Sequence, residues 1–439
     1  LTDFWLAHLV YRLEGAGLFR SLEWQAGLAQ VDHEMSNRDK PSSQMLDAVT
    51  PSTALSAATA LKMRFAPASG LRVKTGLDFY HLQRDAQRSR HVLASGQTFF
   101  DHLWPDVREW NAGLHAQAVW AFASAWTLTT GGRLDLNGAT AGALDQASLQ
   151  GLSIAEQFQR LYGPDAAPDS LTKLLGSARM QLAWLPLAGL QAYAALAWAA
   201  RAPSLTERYF AFAPAPGGYQ VGRPSLAAEK KLSVESGLRL RSGVMDLDAA
   251  VFTYRIDDFI LRRLAESADV NGDGMIDAVY SFSNVLAWLA GGELSLKLKI
   301  TDWLSLPLGL SSVTGWNESE GSALAEIPAL SGHVGLRADQ PDARLPWWAE
   351  FSTRLSAAQT RVDEALGESP SDPYTVLSLR AGLKPWPFLA IAVGVENLTD
   401  EDYSPFLNRT VPMQAGDLTP GMRIPAPGIS AWLTLRGSY

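Results

Sequence analysis

The chain has 439 residues, of which 47% are apolar and 19% are charged, and it contains no cysteine. The missing cysteine excludes a disulfide framework, a thiolate metal site and a cysteine nucleophile within this sequence. A net charge of -8 with acids and bases interspersed argues against a nucleic-acid partner, because no basic stripe is available for phosphates. No linker or break in composition divides the chain, so residues 1–439 are expected to form one large domain.

Segments of roughly ten or more residues alternate between apolar and polar side chains along the chain. In chain order, four clear examples are residues 22–35, 71–79, 245–253 and 429–439. In the second of these, Arg72, Lys74 and Asp78 fall on one side of a strand and apolar residues fall on the other. The apolar stretch 182–200 is interrupted by Pro186 and Gly189, so a membrane-spanning helix is not expected there.

Counting the alternating segments predicts roughly seventeen strands. Tight turns, such as residues 66–70 and 385–387, alternate with long connections rich in Pro, Gly, Asp and Ser. These long connections are residues 82–110, 138–170, 207–227 and 400–427. Short turns at one end and long loops at the other are typical of outer-membrane barrels, in which closure satisfies the backbone of every strand. The sequence therefore predicts an all-β, transmembrane antiparallel β-barrel, and no repeat of roughly 40 residues supports a soluble propeller.

Residues 22–35 carry the first candidate site. Their even-numbered positions are predicted to face lipid and their odd-numbered positions the lumen, which places His33 and Met35 side by side on the lumen face. An imidazole beside a thioether is a soft ligand pair, suited to Cu(I) and poorly suited to Mg²⁺ or Ca²⁺. A structural interpretation stays open, in which Met35 fills space and His33 hydrogen-bonds a loop. Met45 and Met63 could extend a relay of soft ligands, although hydrophobic packing is the preferred role for both.

Residues 269–277 carry a second candidate site, because their oxygen-bearing side chains are spaced as in an EF-hand calcium loop. The expected calcium ligands are Asp269, Asn271, Asp273 and Asp277. Tyr280 stands where a bidentate Glu normally completes the shell, so the site would be weak or hydrated. A turn shaped by Asx and Gly residues without any ion is an equal alternative. The strand count makes this loop external, so any calcium would be structural.

Motifs at residues 201–209 with 226–237, at 291–293 and at 395–403 resemble the TonB-dependent outer-membrane receptors. Residues 395–403, Val-Glu-Asn-Leu-Thr-Asp-Glu-Asp-Tyr, resemble the penultimate-strand motif of that family, and residues 201–209 with 226–237 resemble a middle block. Gly291-Gly292-Glu293 resembles the opening of a downward strand, and Tyr439 resembles the terminal aromatic that signals barrel assembly. The resemblance implies a 22-stranded barrel closed around an N-terminal plug. Counting back from the end makes the first segment strand six, so the plug and about five strands are expected to lie outside this sequence.

Residues 30–37, Gln-Val-Asp-His-Glu-Met-Ser-Asn, resemble the copper receptors of that family, as do residues 103–110, Leu-Trp-Pro-Asp-Val-Arg-Glu-Trp. This resemblance implies that His33 and Met35 bind copper as the transported ligand, facing a Cys and a Met of the plug. It also implies a location in the outer membrane of a Gram-negative bacterium. The implied partners are the chain's own plug, TonB with the inner-membrane energising complex, and outer-membrane lipids.

Two other transport functions stay open. A siderophore or corrinoid receptor would share every barrel motif, and a passive porin would need neither a plug nor a soft-ligand pair. An enzyme is not expected, because the seven histidines are dispersed and nothing resembles a nucleophile elbow. An outer-membrane phospholipase or protease is therefore disfavoured.

Overall fold

The computed structural model describes residues 2–146, 152–164, 166, 170–212, 219–269, 276–411 and 417–437. The strands are β1 (Thr2–Glu14), β2 (Phe19–Ser36), β3 (Leu46–Ala68), β4 (Leu71–Val92), β5 (Gln97–Ala123), β6 (Trp126–Ala141), β7 (Ser170–Leu187), β8 (Leu190–Arg201), β9 (Ala211–Phe212), β10 (Tyr219–Val221), β11 (Glu229–Arg241), β12 (Met245–Ala268), β13 (Asp277–Lys299), β14 (Leu304–Asn317), β15 (Ser322–Ala323), β16 (Ser331–Gln340), β17 (Trp347–Ser356), β18 (Tyr374–Trp386), β19 (Leu389–Glu396) and β20 (Ser430–Gly437). The helices are α1 (Ile154–Tyr162) and α2 (Leu205–Tyr209), with short 3-10 turns at Pro41–Gln44 and Glu364–Leu366. No helix within the described residues is long and apolar enough to cross a membrane.

The described residues therefore contain twenty strands, of which seventeen have eight or more residues. That number matches the alternating segments predicted from the sequence. The predicted strand at residues 71–79 lies in β4, with Leu77 and Phe79 exposed on the face opposite Asp78. Residues 245–253 open β12, and residues 430–437 form β20, while Tyr439 lies outside the described residues.

Short and long connections alternate over much of the chain, with an exception at the short turn of residues 93–96. The short turns are residues 15–18, 69–70, 124–125, 188–189, 242–244, 300–303, 341–346 and 387–388. Two of these turns depend on glycine. Gly70 and Gly189 adopt φ of 74° and 82°, and a Cβ on either would lie 2.6 Å and 2.1 Å from the carbonyl oxygens of Ala121 and Arg241. Both the positive φ and the close approach would strain any other residue at these positions.

The predicted long loop at residues 82–110 is wrong. β4 continues to Val92, a four-residue turn follows, and β5 begins at Gln97, so two long strand arms replace the loop. Charged side chains are paired between the arms: Arg88 Nη2 and Arg90 Nε lie 2.8 Å and 3.0 Å from Asp101 Oδ2. The pairing of β4 with β5 shifts its register on both sides of Ala86, which lies opposite Trp104. These cross-strand contacts stabilise extended structure in a segment whose composition is that of a loop.

The chain forms two compact units, and the first comprises residues 1–180, 197–232 and 256–286. Within it, β1 to β6 pair in sequence order as antiparallel hairpins. Both helices pack beside these strands, and Phe158 of α1 and Tyr209 of α2 are fully buried with Val107 of β5 and Val279 of β13. The first unit therefore has a conventional hydrophobic core at the end of β5 and β6 where the longer connections lie.

The second unit comprises residues 181–196, 233–255 and 287–439. Its strands β14 and β16 to β20 pair antiparallel in sequence order. One face carries a row of alternating charge, in which Glu350 lies 3.3 Å from Arg337 and 4.0 Å from Arg380, and Arg380 lies 2.8 Å from Glu396. The opposite face is apolar and exposed, for example at Phe351. Both units thus have strands with one apolar face and one charged face.

Candidate metal site

β2 carries the candidate ligands His33 and Met35 on a strand of regular register. It pairs with β3 from Ser21 to Ser36 without a shift, so side chains alternate between two faces along this whole length. We call the face of Glu23, His33 and Met35 the polar face, and the face of Trp24 and its alternate neighbours the apolar face. The structure places both candidate ligands on the polar face, two positions and about 7 Å apart along the strand.

His33 has a single described side-chain contact. Its Nδ1 lies 2.6 Å from Thr2 Oγ1, on the residue directly opposite in β1. On the other side its register partner is Ser52 of β3. Among the described residues no other polar group contacts the imidazole, so Nε2 keeps its bonding capacity.

Met35 lies one alternate position further, opposite the buried Thr50 of β3. Its side chain is 45% exposed, and no hydrogen bond to its sulfur occurs within the described residues. The thioether is thus free to meet a ligand on the face that it shares with the imidazole. Together they offer one borderline and one soft donor, a set suited to Cu(I) rather than to hard cations.

A central belt of charged residues crosses the polar face further down β2. It runs along one line of register through Arg12, Glu23, Lys62, His115 and Arg133, with Asp78 and Asp135 two residues away on their strands. Glu23 accepts from Arg12 Nε at 2.8 Å and from Gln25 at 2.8 Å. Arg133 forms paired contacts of 2.6 Å with both Asp78 oxygens and contacts of 2.7 Å and 2.5 Å with Asp135. The belt is therefore an electrostatic network of oppositely charged side chains within the described residues.

The apolar face locates the site along the strand. Trp24 and Leu28 are exposed there, but the alternate positions that follow are Gln30, Asp32 and Glu34. The apolar band of β2 therefore ends near Leu28, and the candidate ligands lie beyond it, toward the longer connections. Since an apolar band marks the lipid-contacting height of a transmembrane strand, both candidate ligands lie outside that height on β2.

The other predicted soft ligands are not part of this arrangement. Met63 lies on the apolar face, opposite Leu22 near the far end of β2. Met45 is 71% exposed in the connection between β2 and β3. Packing on the apolar face, the preferred sequence interpretation, agrees with the position of Met63. Among the described residues no group of three or more His, Asp or Glu side chains could hold a harder metal.

The stretch 103–110, which supported the copper resemblance, lies in β5 on the line of register that contains His33. Trp104 pairs with Ala86, whose partner on β3 is Ser52. Its ring contacts Phe210 at a centroid distance of 4.9 Å and lies 4.7 Å from the Arg84 guanidinium. This stretch therefore lies at the level of His33, three strands away, and adds no soft metal donor.

The predicted calcium loop falls largely outside the described residues. Asn271 and Asp273 lie there, and Asp277 is described only as the first backbone position of β13. Asp269 is described, and its backbone carbonyl accepts a hydrogen bond from Arg160 of α1. The calcium site stays a prediction.

Sequence reasoning missed Thr2 and both helices. The hairpin register fixes Thr2 opposite His33, and counting outward from the turn at residues 15–18 would have found it. Each helix begins with a capping box, Ser153 with Glu156 and Ser204 with Glu207. The Ser-x-x-Glu spacing is a recognised sequence signature of a helix start.

Comparison with known proteins identifies the family. The family described as "TonB dependent receptor-like, beta-barrel" matches residues 4–398. The chain belongs to this family. The match confirms the predicted β-barrel fold class and the TonB-dependent receptor resemblance. It is an outer-membrane family of transport receptors. Its members are coupled to TonB and contain a plug domain.

Several solved structures share the fold. The copper transporter OprC has a TM-score of 0.82 at 20% identity, with 100% of this chain and 65% of that chain covered. The ferric yersiniabactin uptake receptor FyuA from Yersinia pestis has a TM-score of 0.68 at 14% identity, covering 100% and 61%. The siderophore receptor PiuA from Acinetobacter baumannii has a TM-score of 0.67 at 12% identity, covering 100% and 64%. This chain thus spans less than two thirds of each of those chains, and no curated protein matches it.

The family motifs have structural roles at strand ends. In residues 395–403, the buried Asn397 adopts φ of 56°, and its side chain both donates to and accepts from the backbone of Glu401 at 2.9 Å and 2.8 Å. In the middle block, Arg201 forms contacts of 2.9 Å with Glu207 and 2.6 Å with Glu229. Gly291 lies in the middle of β13 rather than at the opening of a strand, which corrects the sequence expectation.

Proposed function

We propose that this chain forms part of the barrel wall of an outer-membrane receptor, and that this receptor imports copper through TonB-coupled movement of its plug. The observation that carries the proposal is the pair of His33 and Met35 on the polar face of β2, beyond its apolar band, with an imidazole nitrogen and a thioether available. Copper chemistry matches this pair, because Cu(I) favours thioether and imidazole donors. The TM-score of 0.82 with OprC, against 0.68 and 0.67 for the two iron-siderophore receptors above, agrees with the proposal.

In this mechanism the longer connections face the outside of a Gram-negative bacterium and the apolar face contacts outer-membrane lipids. Copper enters between those connections and meets His33 and Met35 on the wall. Two protein ligands are fewer than the usual coordination of a copper site, so the plug supplies the remaining donors. The inner-membrane energising complex then acts through TonB on the plug, which moves and releases copper to the periplasm.

A siderophore or corrinoid receptor is the second candidate. The shared fold with FyuA, a ferric yersiniabactin uptake receptor, and with PiuA, a siderophore receptor, favours it. Such a ligand would contact many groups of the polar face and would not depend on one imidazole and one thioether. A passive porin is a more remote third candidate, and it would use neither residue.

The experiment compares copper content of the full-length receptor, purified from outer membranes, in wild type and in His33→Ala with Met35→Ala. A matched control is His81→Ala with Met63→Ala, which removes the same residue types from the apolar face of β3 and β4. We expect wild type and control to carry copper after exposure to Cu(I), and the site variant to lose it. Equal copper content in the site variant and the control would refute the assignment.

Transport separates the candidates. Uptake of radioactive copper should fall in the site variant and stay near wild type in the control. If uptake of copper is unchanged while growth on a ferric siderophore depends on the receptor, the siderophore function replaces the copper function.

A further inference from the structure

The hydrogen bond between Thr2 and His33 involves Nδ1 of the imidazole and leaves Nε2 as the nitrogen that can bind a metal. Thr2 Oγ1 and His33 Nδ1 are 2.6 Å apart, which is a short hydrogen-bond distance. The two residues form a register pair in a hairpin that continues without a shift from Thr2–His33 to Glu14–Ser21. Regular pairing over this length makes their opposition a property of the fold rather than of one rotamer.

A neutral imidazole carries one N–H and one lone pair. If Nδ1 carries the hydrogen and donates it to Thr2 Oγ1, then the lone pair is on Nε2, which has no other described partner. The ring nitrogen that hydrogen-bonds thereby determines the nitrogen that can bind metal. Thr is β-branched and restricted at χ1 in a strand, so its hydroxyl is a well-defined anchor for the ring.

We propose that Thr2 is a positioning residue of the copper site: its hydroxyl accepts from His33 Nδ1–H and directs Nε2 toward copper bound with Met35. This inference rests on the proposed copper function. The two ligands then bind copper in different ways. The imidazole of His33 is oriented before copper arrives. The thioether of Met35, exposed and flexible, adapts to the ion.

Outer-shell partners of metal-binding histidines change metal affinity by about 10–100-fold when they are removed. The test measures Cu(I) affinity of the full-length receptor by competition with a chromogenic Cu(I) chelator, in wild type, Thr2→Val and Thr2→Ser. Val keeps the β-branched shape and removes the hydroxyl, and we expect it to weaken binding at least about tenfold. Ser keeps the hydroxyl and should remain within about threefold of wild type, on the same scale.

The chain offers a matched control. Thr98 Oγ1 lies 3.0 Å from His91 Nδ1, a cross-strand pair of the same chemistry between β4 and β5. Thr98→Val should leave Cu(I) affinity unchanged. If Thr98→Val and Thr2→Val weaken binding equally, the effect is a general loss of strand pairing and the positioning role is refuted.

A spectroscopic readout tests the orientation without copper. In metal-free receptor with ¹⁵N-labelled histidine, His33 is assigned by the signal lost in His33→Ala. We expect the Nδ1–H form in wild type and Thr2→Ser, and loss of that preference in Thr2→Val. An Nε2–H form in wild type, or no change in Thr2→Val, would overturn the proposal.

The failure of this inference is distinct from failure of the copper function. Copper binding that depends on His33 and Met35 but is unchanged in Thr2→Val refutes only the role of Thr2. Copper content that is unchanged in the double site variant refutes the copper function itself.

Discussion

The central belt and the His33–Met35 end of β2 lie on the same face of one strand but differ in how their polar groups are satisfied. Glu23 is held by Arg12, Gln25 and Lys62, the last at 3.7 Å. Ten residues along, about 33 Å at the usual rise, His33 has one hydrogen bond and Met35 has none within the described part of the chain. The strand thus changes from a saturated region to an unsaturated one without changing its register.

The chemistry of the side chains explains why the fold tolerates this difference. A partly buried charge left without a partner is costly, so carboxylates and guanidinium groups of the belt occur in networks. A neutral imidazole or thioether loses far less when it has no partner. Neutral donors are therefore the residues that a wall can leave open for a ligand at little cost in stability. The comparison predicts that substitutions at the two ends of β2 change different properties.

The largest expected effect is on copper binding at the unsaturated end. His33→Ala should weaken Cu(I) binding by more than about 100-fold, because it removes the imidazole that Thr2 orients before copper arrives, and this loss exceeds the 10–100-fold range of outer-shell partners alone. Thermal stability should stay within about 0.5 kcal/mol of wild type, as for other substitutions away from buried networks. Competition with a Cu(I) chelator measures the affinity. The temperature at which the folded receptor changes its mobility on gels measures the stability. A large loss of stability would show that His33 is structural.

The second effect is on stability, at the saturated belt. Arg133→Met leaves Asp78 and Asp135 without the cation that bridges them. We expect a loss of about 2 kcal/mol, less than the 3–5 kcal/mol of a fully buried pair because these side chains are partly solvated. Adding Asp78→Asn and Asp135→Asn should recover part of the loss by removing the unpaired charges. Cu(I) affinity should be unchanged, and a parallel loss of copper would contradict the separation of the two regions.

The sequence alone predicted the strands and the shared face of His33 and Met35 on β2. This succeeded because a strand alternates strictly and β2 has no bulge between Ser21 and Ser36, so parity at Glu23 extends to Met35. It failed for residues 82–110, whose Pro and charges resemble a loop. Their strand structure depends on contacts such as Arg88 with Asp101, which join residues distant in sequence. Local composition carries no information on such pairing.

The helices escaped prediction for a different reason. α1 and α2 have nine and five residues, too short for a clear helical period against the surrounding alternation. Their capping boxes were the available signal. The hydrogen bond of Thr2 to His33 was also within reach of the sequence, because it follows from the hairpin register once the turn is located. Further copper ligands cannot be predicted from this sequence, because no third soft ligand lies beside His33 and Met35 among the described residues.

A smaller effect tests whether the sulfur of Met35 is a copper ligand at the unsaturated end of β2. Met35→Leu keeps the volume and apolar character of the side chain but removes the sulfur. Cu(I) affinity should fall about tenfold, close to 1.4 kcal/mol, since a soft donor is lost while His33 remains. Binding of Zn²⁺, which uses imidazole but has little preference for thioethers, should change much less. Equal losses for both ions would show that Met35 acts by shape and not as a ligand.

The smallest effect concerns a saturated contact away from the strands, the cap of α1. Glu156 accepts hydrogen bonds from the Ser153 backbone N–H at 2.7 Å and from the Ser153 hydroxyl at 2.9 Å, and these bonds hold the pKa of Glu156 below its usual value. A lowered pKa in the folded state stabilises α1 above the unfolded pKa of about 4.3, and this stabilisation is lost as pH falls through the lower folded value. Amide exchange in α1 should therefore be faster in Glu156→Gln than in wild type at pH 7. The two proteins should converge in acid, whereas a difference that persists there would mean that the carboxylate charge is not what fixes the cap.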